Sequence, residues 1–568
     1  MTEFATLSHR RRLRFHGWGY ADEALSGEES ARVRAAAARL GGAKMENPAP
    51  IESDVPLRAP RVVAPTSLSA MMSATPYDRL THSLGKSFAD LARMLMREVR
   101  HPPDLVAFPK NAEDVTAVLD WASETNVAVI PFGGGSSVVG GVEPDVGDSF
   151  AGTVSIDLQH LNRVLEIDQT SRAAHIQAGA LGPEIEAQLR PRGLTLRHFP
   201  QSFQLSTLGG WIATRSGGHY ASLYTHIDDL VESTRSVTPA GLLETRRLPG
   251  SGAGPSPDRL MIGSEGGLGV IVDAWMRLQD RPTRQTSASV AFPNMVKAVA
   301  AVRALSQSAL FPTNCRLLDP AEARNNGVGD GETAILVLGF ESADHALDAW
   351  VGRALELVAD HDGLFDAEAV ARSLAPDADA AGRRAGAAGQ WRNAFLRMPY
   401  YRDLSVALGM INDTFETAIT WDRFETLYEG VRERTGAALR EICRSDGGVS
   451  CRFTHIYPDG PAPYFSYSAL GTADGKLADS LAKWREIKTA TNEIVVSLGG
   501  TITHHHAVGR DHRRGYERQS PPLFRAALSA AKATLDPAGV LNPGVLIDPA
   551  GRTVGVRGAV GLAPPTSG

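Results

Sequence analysis

Apolar residues recur at helical spacing in two stretches near the start of the chain, "EESARVRAAAARLGG" and "YDRLTHSLGKSFADLARMLM", and both are rich in strong helix formers. Between them "NPAPIESDVPLRAPRVVAPTSL" carries five prolines, which cannot continue a helix and predict a loop or an extended connection. Residues 1–100 therefore read as a mostly helical segment. From His101 the pattern changes. "PDLVAFPKNAEDVTAVLDWASETNVAVIPFGGG" reads as strand, helix, strand, with Asn111 capping the helix and a glycine turn at the end. Short β-branched runs then alternate with glycine turns, as in "GTVSIDL", "DLVESTRSVTPAG" and "GVIVDAWMRLQ", and an α/β domain is predicted over 101–282. A second region, 283–500, opens with "TSASVAFPN", continues with the helix "MVKAVAAVRALSQSA", and later supplies "TAILVLGFES" before "ADHALDAWVGRALELVADH". Strands alternating with amphipathic helices predict a separate sheet covered by helices, and an α+β class for the whole. "DADAAGRRAGAAGQW" at 377–391 reads as an exposed linker or lid, 501–546 as a C-terminal segment, and 547–568 as a frayed tail.

A chain of 568 residues is too long for one hydrophobic core, so several domain-sized units are expected. Hydrophobic residues at 43% and charged residues at 21% fit a folded protein, and a net charge of -6 gives no electrostatic footprint for nucleic acid. Cys315, Cys443 and Cys451 are too few and odd in number for a disulfide framework, which points to a reducing compartment and to small core residues. The start, "MTEFATLSHRRRLRFHGWGY", is basic without the apolar core of a secretory signal, and no apolar run is long enough to cross a bilayer. The expectation is a cytoplasmic protein, with peripheral contact at the inner face of a membrane and homodimer formation both left open.

Candidate chemistry begins with glycine. "PFGGGSSVVGG" (131–141) follows a predicted strand and offers Pro131, Gly133, Gly134, Gly135, Ser136, Ser137 and Gly141, a backbone free to turn its N–H groups inward as a nest for a pyrophosphate. It is no P-loop, lacking a following Gly-Lys-Ser/Thr, and no dinucleotide fingerprint, lacking the spacing and the helix that follows. Two more stretches share the pattern: "STLGGWIAT", with Ser206, Thr207, Gly209, Gly210 and Thr214, and "MIGSEGGLGVIV", with Gly263, Glu265, Gly266, Gly269, Val270 and Ile271. Three such loops in one α/β region imply backbone packed along a large flat ligand. Near the end, "TITHHHAVG" (501–509) sets His504, His505 and His506 side by side. Read as an extended segment, it points successive side chains to opposite faces, so one ion could not take all three. No cysteine or second histidine pair stands at ligand spacing nearby, and no metal is expected. A polar strand end and an active-site cluster remain as readings.

The order of "PFGGGSSVVGG", "STLGGW" and "GSEGGLGV" resembles the FAD-binding domain of the vanillyl-alcohol oxidase and para-cresol methylhydroxylase superfamily. Together with "FHGWGYADE", "HFPQSFQLSTLGGWIATRSGG", "SVAFPN", "PYYRD", "FETAITWDRF", "CRFTHIYPDGPAPYFSYSALG" and "THHHAVGRD", it is similar, from about residue 14 to about 546, to the alkyldihydroxyacetonephosphate synthase family. That resemblance implies a two-lobed FAD-binding domain with an α+β cap. It implies an enzyme that exchanges the acyl chain of acyl-dihydroxyacetone phosphate for a long-chain alcohol, the ether-forming step of ether lipid synthesis. It also implies roles for particular residues. Tyr464 stands at the catalytic acid/base position, His504, His505 and His506 beside flavin and substrate, and His198 at the substrate side of the flavin. Arg402 stands at the phosphate-binding position, with Arg452 matching in type. An oxidase or dehydrogenase of a small 2-hydroxy acid, such as glycolate or D-lactate, is the alternative on the same scaffold.

The chain departs from the family pattern in one loop. Where the family carries acidic residues on either side of the proline after His198, this chain has Phe199 and Gln201, and His219 in "SGGHY" is also unfamiliar. The histidine that tethers FAD in covalent members is missing, since Gly135 is followed by Ser136 and Ser137, so dissociable FAD is expected.

Overall fold

The aliphatic runs predicted as strands assemble into three principal sheets in the computed structural model, which describes residues 11–42, 46–220, 222, 226–375, 387–548 and 554, without side chains for 387–396. The first sheet has the order β1 (Met72–Ser73), β2 (Leu105–Ala107), β4 (Gly152–Asp157), β3 (Val127–Phe132), with β2, β4 and β3 parallel. The helix Ala112–Thr125 makes the crossover from β2 to β3, and Asn111 caps it by accepting from the Asp114 amide at 2.7 Å. The second sheet is antiparallel, in the order β5 (Val164–Asp168), β6 (Ala173–Gln177), β10 (Val270–Arg277), β8 (Val231–Thr238), β9 (Gly241–Glu244); short strands β7 (Leu194–Thr195) and β11 (Gln279–Asp280) pair beside it. Val154 and Ile156 from the first sheet and Ile176 and Val272 from the second are fully buried in one shared core, which fixes the two lobes against each other.

The third sheet is seven-stranded and antiparallel, in the order β15 (Leu364–Phe365), β12 (Arg284–Phe292), β14 (Ala334–Ser342), β13 (Asn314–Leu318), β17 (Gly448–Ile456), β18 (Pro461–Leu470), β16 (Met410–Glu416). Helices Met295–Gln307, Trp421–Cys443 and Leu477–Ser497 contribute Val302, Leu427 and Ile487 to its core, so this cap buries its own hydrophobic face. The chain then returns to the first lobe. On the edge strand β3, Val129 donates to the Val540 carbonyl and accepts from the Asn542 amide, both at 2.8 Å. Lys532 is completely buried and donates to the carbonyls of Gly267 (2.7 Å) and Leu541 (2.6 Å) while pairing with Asp536 (2.7 Å), which pins the last helix to the flavin-loop side.

Five sequence expectations change. Residues 11–100 are less helical than their composition suggests: among the described residues the α-helices are Gly27–Arg39, Pro76–Thr81 and Phe88–Leu95, with the short 3-10 turns Glu52–Asp54 and Ser69–Met71 between the first two. The periodic stretch 77–96 breaks in two because Gly85 lies against the glycine loop, where an added Cβ would sit 2.4 Å from the Ser137 carbonyl, and Lys86 donates to that same oxygen at 2.7 Å. Of the linker expected at 377–391, residues 377–386 lie outside the described residues, and 387–391 begin the helix Ala387–Ala407 instead. The expected tail mostly lies outside the described residues, yet Asp548 is ion-paired with Arg513 at 2.7 Å and Val554 is buried, so its start is docked. The histidine run is a bent loop, not an extended strand, for a reason given below. All three cysteines are free and buried, and among the described residues no helix is long and apolar enough to cross a membrane.

Candidate active site

The three glycine loops converge where the two lobes meet. A narrow cavity of about 110 Å³ is lined by Pro131, Gly133, Ser137 and Gly141 from the first loop, Thr207, Gly209, Gly210 and Thr214 from the second, and Glu265, Gly266, Gly269, Val270 and Ile271 from the third. It runs into a larger cavity of about 460 Å³, since Gly133, Ser137, Thr207, Gly210 and Thr214 line both, while Gly134, Gly135, Ser136 and Ser206 line only the larger. Gly134 has no room for a side chain, because its Cβ would lie 1.5 Å from the Leu205 carbonyl, and Gly135 sits at φ 64°, where a β-carbon is strained. Gly263 lines neither cavity; at φ 84° it turns the chain against the aliphatic part of Arg215, a structural position and not a contact to the cleft. Asn542, which the sequence did not single out, lines the narrow cavity and has a buried Oδ1 without a hydrogen-bond partner among the described residues. An elongated cleft with such an acceptor and inward backbone suits an extended dinucleotide such as FAD.

Glu265 belongs to this cleft but does a second job. It stands at φ 49° and accepts from the amides of Val508 and Gly509, both at 2.8 Å, holding the end of the histidine loop over the cleft. Burial lifts its carboxyl from 4.5 to about 7, against the two amides that favour the anion. A folded-state pKa above the unfolded one contributes stability that is complete below 4.5 and is lost as pH rises through about 7. Glu265→Gln is therefore expected to flatten the fall in stability between about pH 5 and about pH 8.5 in chemical denaturation. Asp319 (raised to about 6) and Asp511 (raised to about 7) retain the remaining slope.

The larger cavity lies under the cap sheet. Tyr464 on β18 is buried there; its hydroxyl donates to Thr414 Oγ1 at 2.9 Å, and the Arg452 guanidinium lies 3.9 Å from its ring centre. Burial raises the phenol's pKa, and the Arg452 charge opposes that rise. Arg452 lines the cavity but is committed to Glu322 at 2.7 Å, so it supports Tyr464 from beneath. Arg402, on the helix Ala387–Ala407, also lines the cavity; it donates to the Lys86 carbonyl, and its Nε is buried without a partner among the described residues. Arg316 on β13 also lines the cavity and is pushed down to about 9 by burial and by Arg452. The sequence signal for it was a lone arginine inside the apolar run "NCRLL".

The histidine loop is shaped by one carboxylate. Glu416, the last residue of β16, is buried and accepts from the backbone amides of His504 (2.9 Å), His505 (2.8 Å) and His506 (2.7 Å) and from the Thr503 hydroxyl (2.7 Å). Three consecutive amides cannot reach one oxygen from an extended strand, so the chain curls around the anion. Its pKa is held well below the carboxylate range: burial would raise it, but the three imidazoles and the hydrogen bonds prevail. His505 and His506 line the larger cavity beside Tyr464, with ring centres 6.1 and 5.3 Å from it. His504 turns away, placing Nε2 2.7 Å from the Tyr457 hydroxyl and 3.2 Å from His226 Nε2. His198 also stays off the lining. It is buried behind Trp211 and contacts Ser216 Oγ at 3.2 Å through Nε2, and burial pushes it down to about 3. Neither His504 nor His198 lines the cavity, which corrects their expected place at the substrate. In the altered loop, Phe199 stacks on Phe203 with centres 4.4 Å apart, and Phe199, Gln201 and His219 all face the larger cavity.

Comparison with known proteins agrees with this geometry. The FAD binding domain family matches residues 103–246, and the FAD linked oxidase C-terminal domain family matches 281–546. A solved p-cresol methylhydroxylase shares the fold, with a TM-score of 0.60 at 13% identity over 84% of this chain and 94% of that one. The two domain families and the cleft thus define a FAD-dependent enzyme, with the fold that p-cresol methylhydroxylase also has. A solved alkyldihydroxyacetonephosphate synthase superposes with a TM-score of 0.76 at 26% identity, covering 93% of this chain and 98% of that one. The alkyldihydroxyacetonephosphate synthase of Dictyostelium discoideum is 32% identical over 495 residues, 83% of this chain and 77% of that protein. The chain belongs to the alkyldihydroxyacetonephosphate synthase family.

Proposed function

We propose that the protein is a FAD-dependent transferase that exchanges the acyl chain of acyl-dihydroxyacetone phosphate for a long-chain alcohol. The observation that carries this reading is the convergence of Tyr464, Arg402, His505 and His506 on one cavity that opens into the glycine-loop cleft. FAD, when bound, supplies the electron-accepting ring that activates the dihydroxyacetone phosphate unit for exchange of its chain. The protein supplies the rest. Arg402 offers an unsatisfied buried guanidinium nitrogen to the phosphate. The Tyr464 hydroxyl, steadied by Thr414, gives and takes the proton at the reacting carbon, with Arg452 beneath the ring easing loss of that proton. His506, held neutral by burial, accepts a proton beside it, His505 lines the same wall, and Trp18, Met398 and Phe199 give part of the wall an apolar surface for the chains.

The test is incubation of the FAD-loaded protein with acyl-dihydroxyacetone phosphate and labelled hexadecanol. Labelled alkyl-dihydroxyacetone phosphate is the expected product; bleaching of the flavin by a 2-hydroxy acid without air, and no alkyl product, would instead make it an oxidoreductase. Arg402→Ala is expected to raise KM for the phosphorylated substrate about 10–100-fold, the worth of a charge-assisted hydrogen bond, with a smaller change in kcat. Its apolar substrates also bring the protein to a bilayer. Leu523 and Phe524, 86% and 53% exposed at the start of the helix Pro522–Leu535 and flanked by Arg518 and Arg525, support contact with an anionic lipid surface. A Leu523→Asp, Phe524→Asp double variant is expected to sediment less with anionic vesicles while retaining FAD.

A further inference from the structure

At the cavity wall, the fold brings His455 and His226 to the histidine loop from distant parts of the sequence. A ring nitrogen from each of His455, His504 and His505 lies within 4.8 Å of the others. His226, from the segment after the second glycine loop, brings Nε2 to 3.2 Å from His504 Nε2. His504 Nδ1, on the other side of that ring, lies 3.0 Å from His505 Nδ1, so one ion cannot serve both pairs and His226 stands beside the three as a hydrogen-bonding neighbour. The ring orientations are set from outside the cluster. His226 donates through Nδ1 to the Arg215 carbonyl at 3.0 Å, which leaves the Nε2 lone pair directed at His504. His455 donates through Nε2 to the Gly218 carbonyl at 2.8 Å, and its Nδ1 is buried without a partner among the described residues. A backbone carbonyl on the far nitrogen is the usual way a protein orients a metal-binding imidazole. Glu416 adds charge: its buried carboxylate lies 2.7 Å from His505 Nδ1 and 3.6 Å from His504 Nδ1. A buried anion gains from a cation beside it.

We infer that His455, His504 and His505 form a site for a borderline-soft divalent cation of the zinc, cobalt or nickel kind, at the wall of the catalytic cavity that His455 and His505 line. Histidine-only donors select such ions over magnesium or calcium, which take oxygen ligands. Because His505 belongs to both the cluster and the cavity wall, occupancy withdraws its lone pair from the cavity and slows exchange. The site therefore couples metal availability to activity.

Equilibrium dialysis of chelator-treated, FAD-loaded protein against Co²⁺ or Zn²⁺ tests this, with metal counted per flavin and the visible bands of bound Co²⁺ reporting its geometry. One ion per flavin and tetrahedral-type cobalt bands are expected. His504→Asn and His455→Asn should each weaken binding at least about tenfold with FAD retained, while a remote His361→Asn control should not. Binding well below one ion per flavin, or binding equally tight in both cluster variants and the control, would reduce the cluster to a hydrogen-bonded network and overturn the site. These readouts count metal and flavin, so they stand apart from success or failure of the exchange assay.

Discussion

Tyr464→Phe is expected to lower alkyl exchange about 10²–10⁴-fold while the protein keeps its FAD and its fold. The substitution removes one oxygen. The ring stays buried over Arg452 and beside His506, and the lost hydrogen bond goes to Thr414, whose hydroxyl has a second use as donor or acceptor. Stability should therefore change little, and the loss should appear in kcat at saturating substrate, because a proton-transfer group acts in the transition state more than in binding. Thr414→Val is the companion measurement. It leaves the phenol but frees its orientation, and an intermediate loss is expected. If Tyr464→Phe exchanged chains at the original rate, the proton would have to move through His505 or His506 alone.

Glu416→Ala should be the most damaging single change in the histidine loop, costing on the order of 3 kcal/mol of stability and most of the exchange activity. Three amides and the Thr503 hydroxyl converge on that carboxylate, and each buried donor left without an acceptor costs roughly 1–3 kcal/mol before the loop relaxes. Relaxation spares part of that stability but moves His505 and His506 away from Tyr464. The pH dependence carries a matching signature. The folded-state pKa of Glu416 lies well below its ordinary 4.5, so its contribution is present above 4.5 and is lost as pH falls toward the depressed value. Urea denaturation at several acidic pH values should show the parent protein losing stability below about pH 4.5 more steeply than Glu416→Ala. Equal slopes would mean the loop is held by something other than this anion. Glu416→Gln retains one acceptor and should fall between the two.

The alternating runs and glycine turns determined the α/β texture, the Asn111 cap and the three loops that line the cleft, because a pyrophosphate nest and a strand end are local events written in adjacent residues. The motif order carried the family and the identities of Tyr464 and Arg402. What the sequence left undetermined are the contacts that cross the chain. The break at Gly85 follows from a carbonyl more than fifty residues away, and the curl of the histidine loop follows from Glu416 at the end of another strand. Asn542 enters the cleft only because the last helix is pinned through Lys532. His504 and His198 carry the residue types expected of a site but face away from the cavity, since side-chain direction in an irregular loop is set by partners rather than by period. Local pattern fixes which elements form; only tertiary packing, which brings distant charges and donors within hydrogen-bond reach, decides which of their side chains meet the substrate.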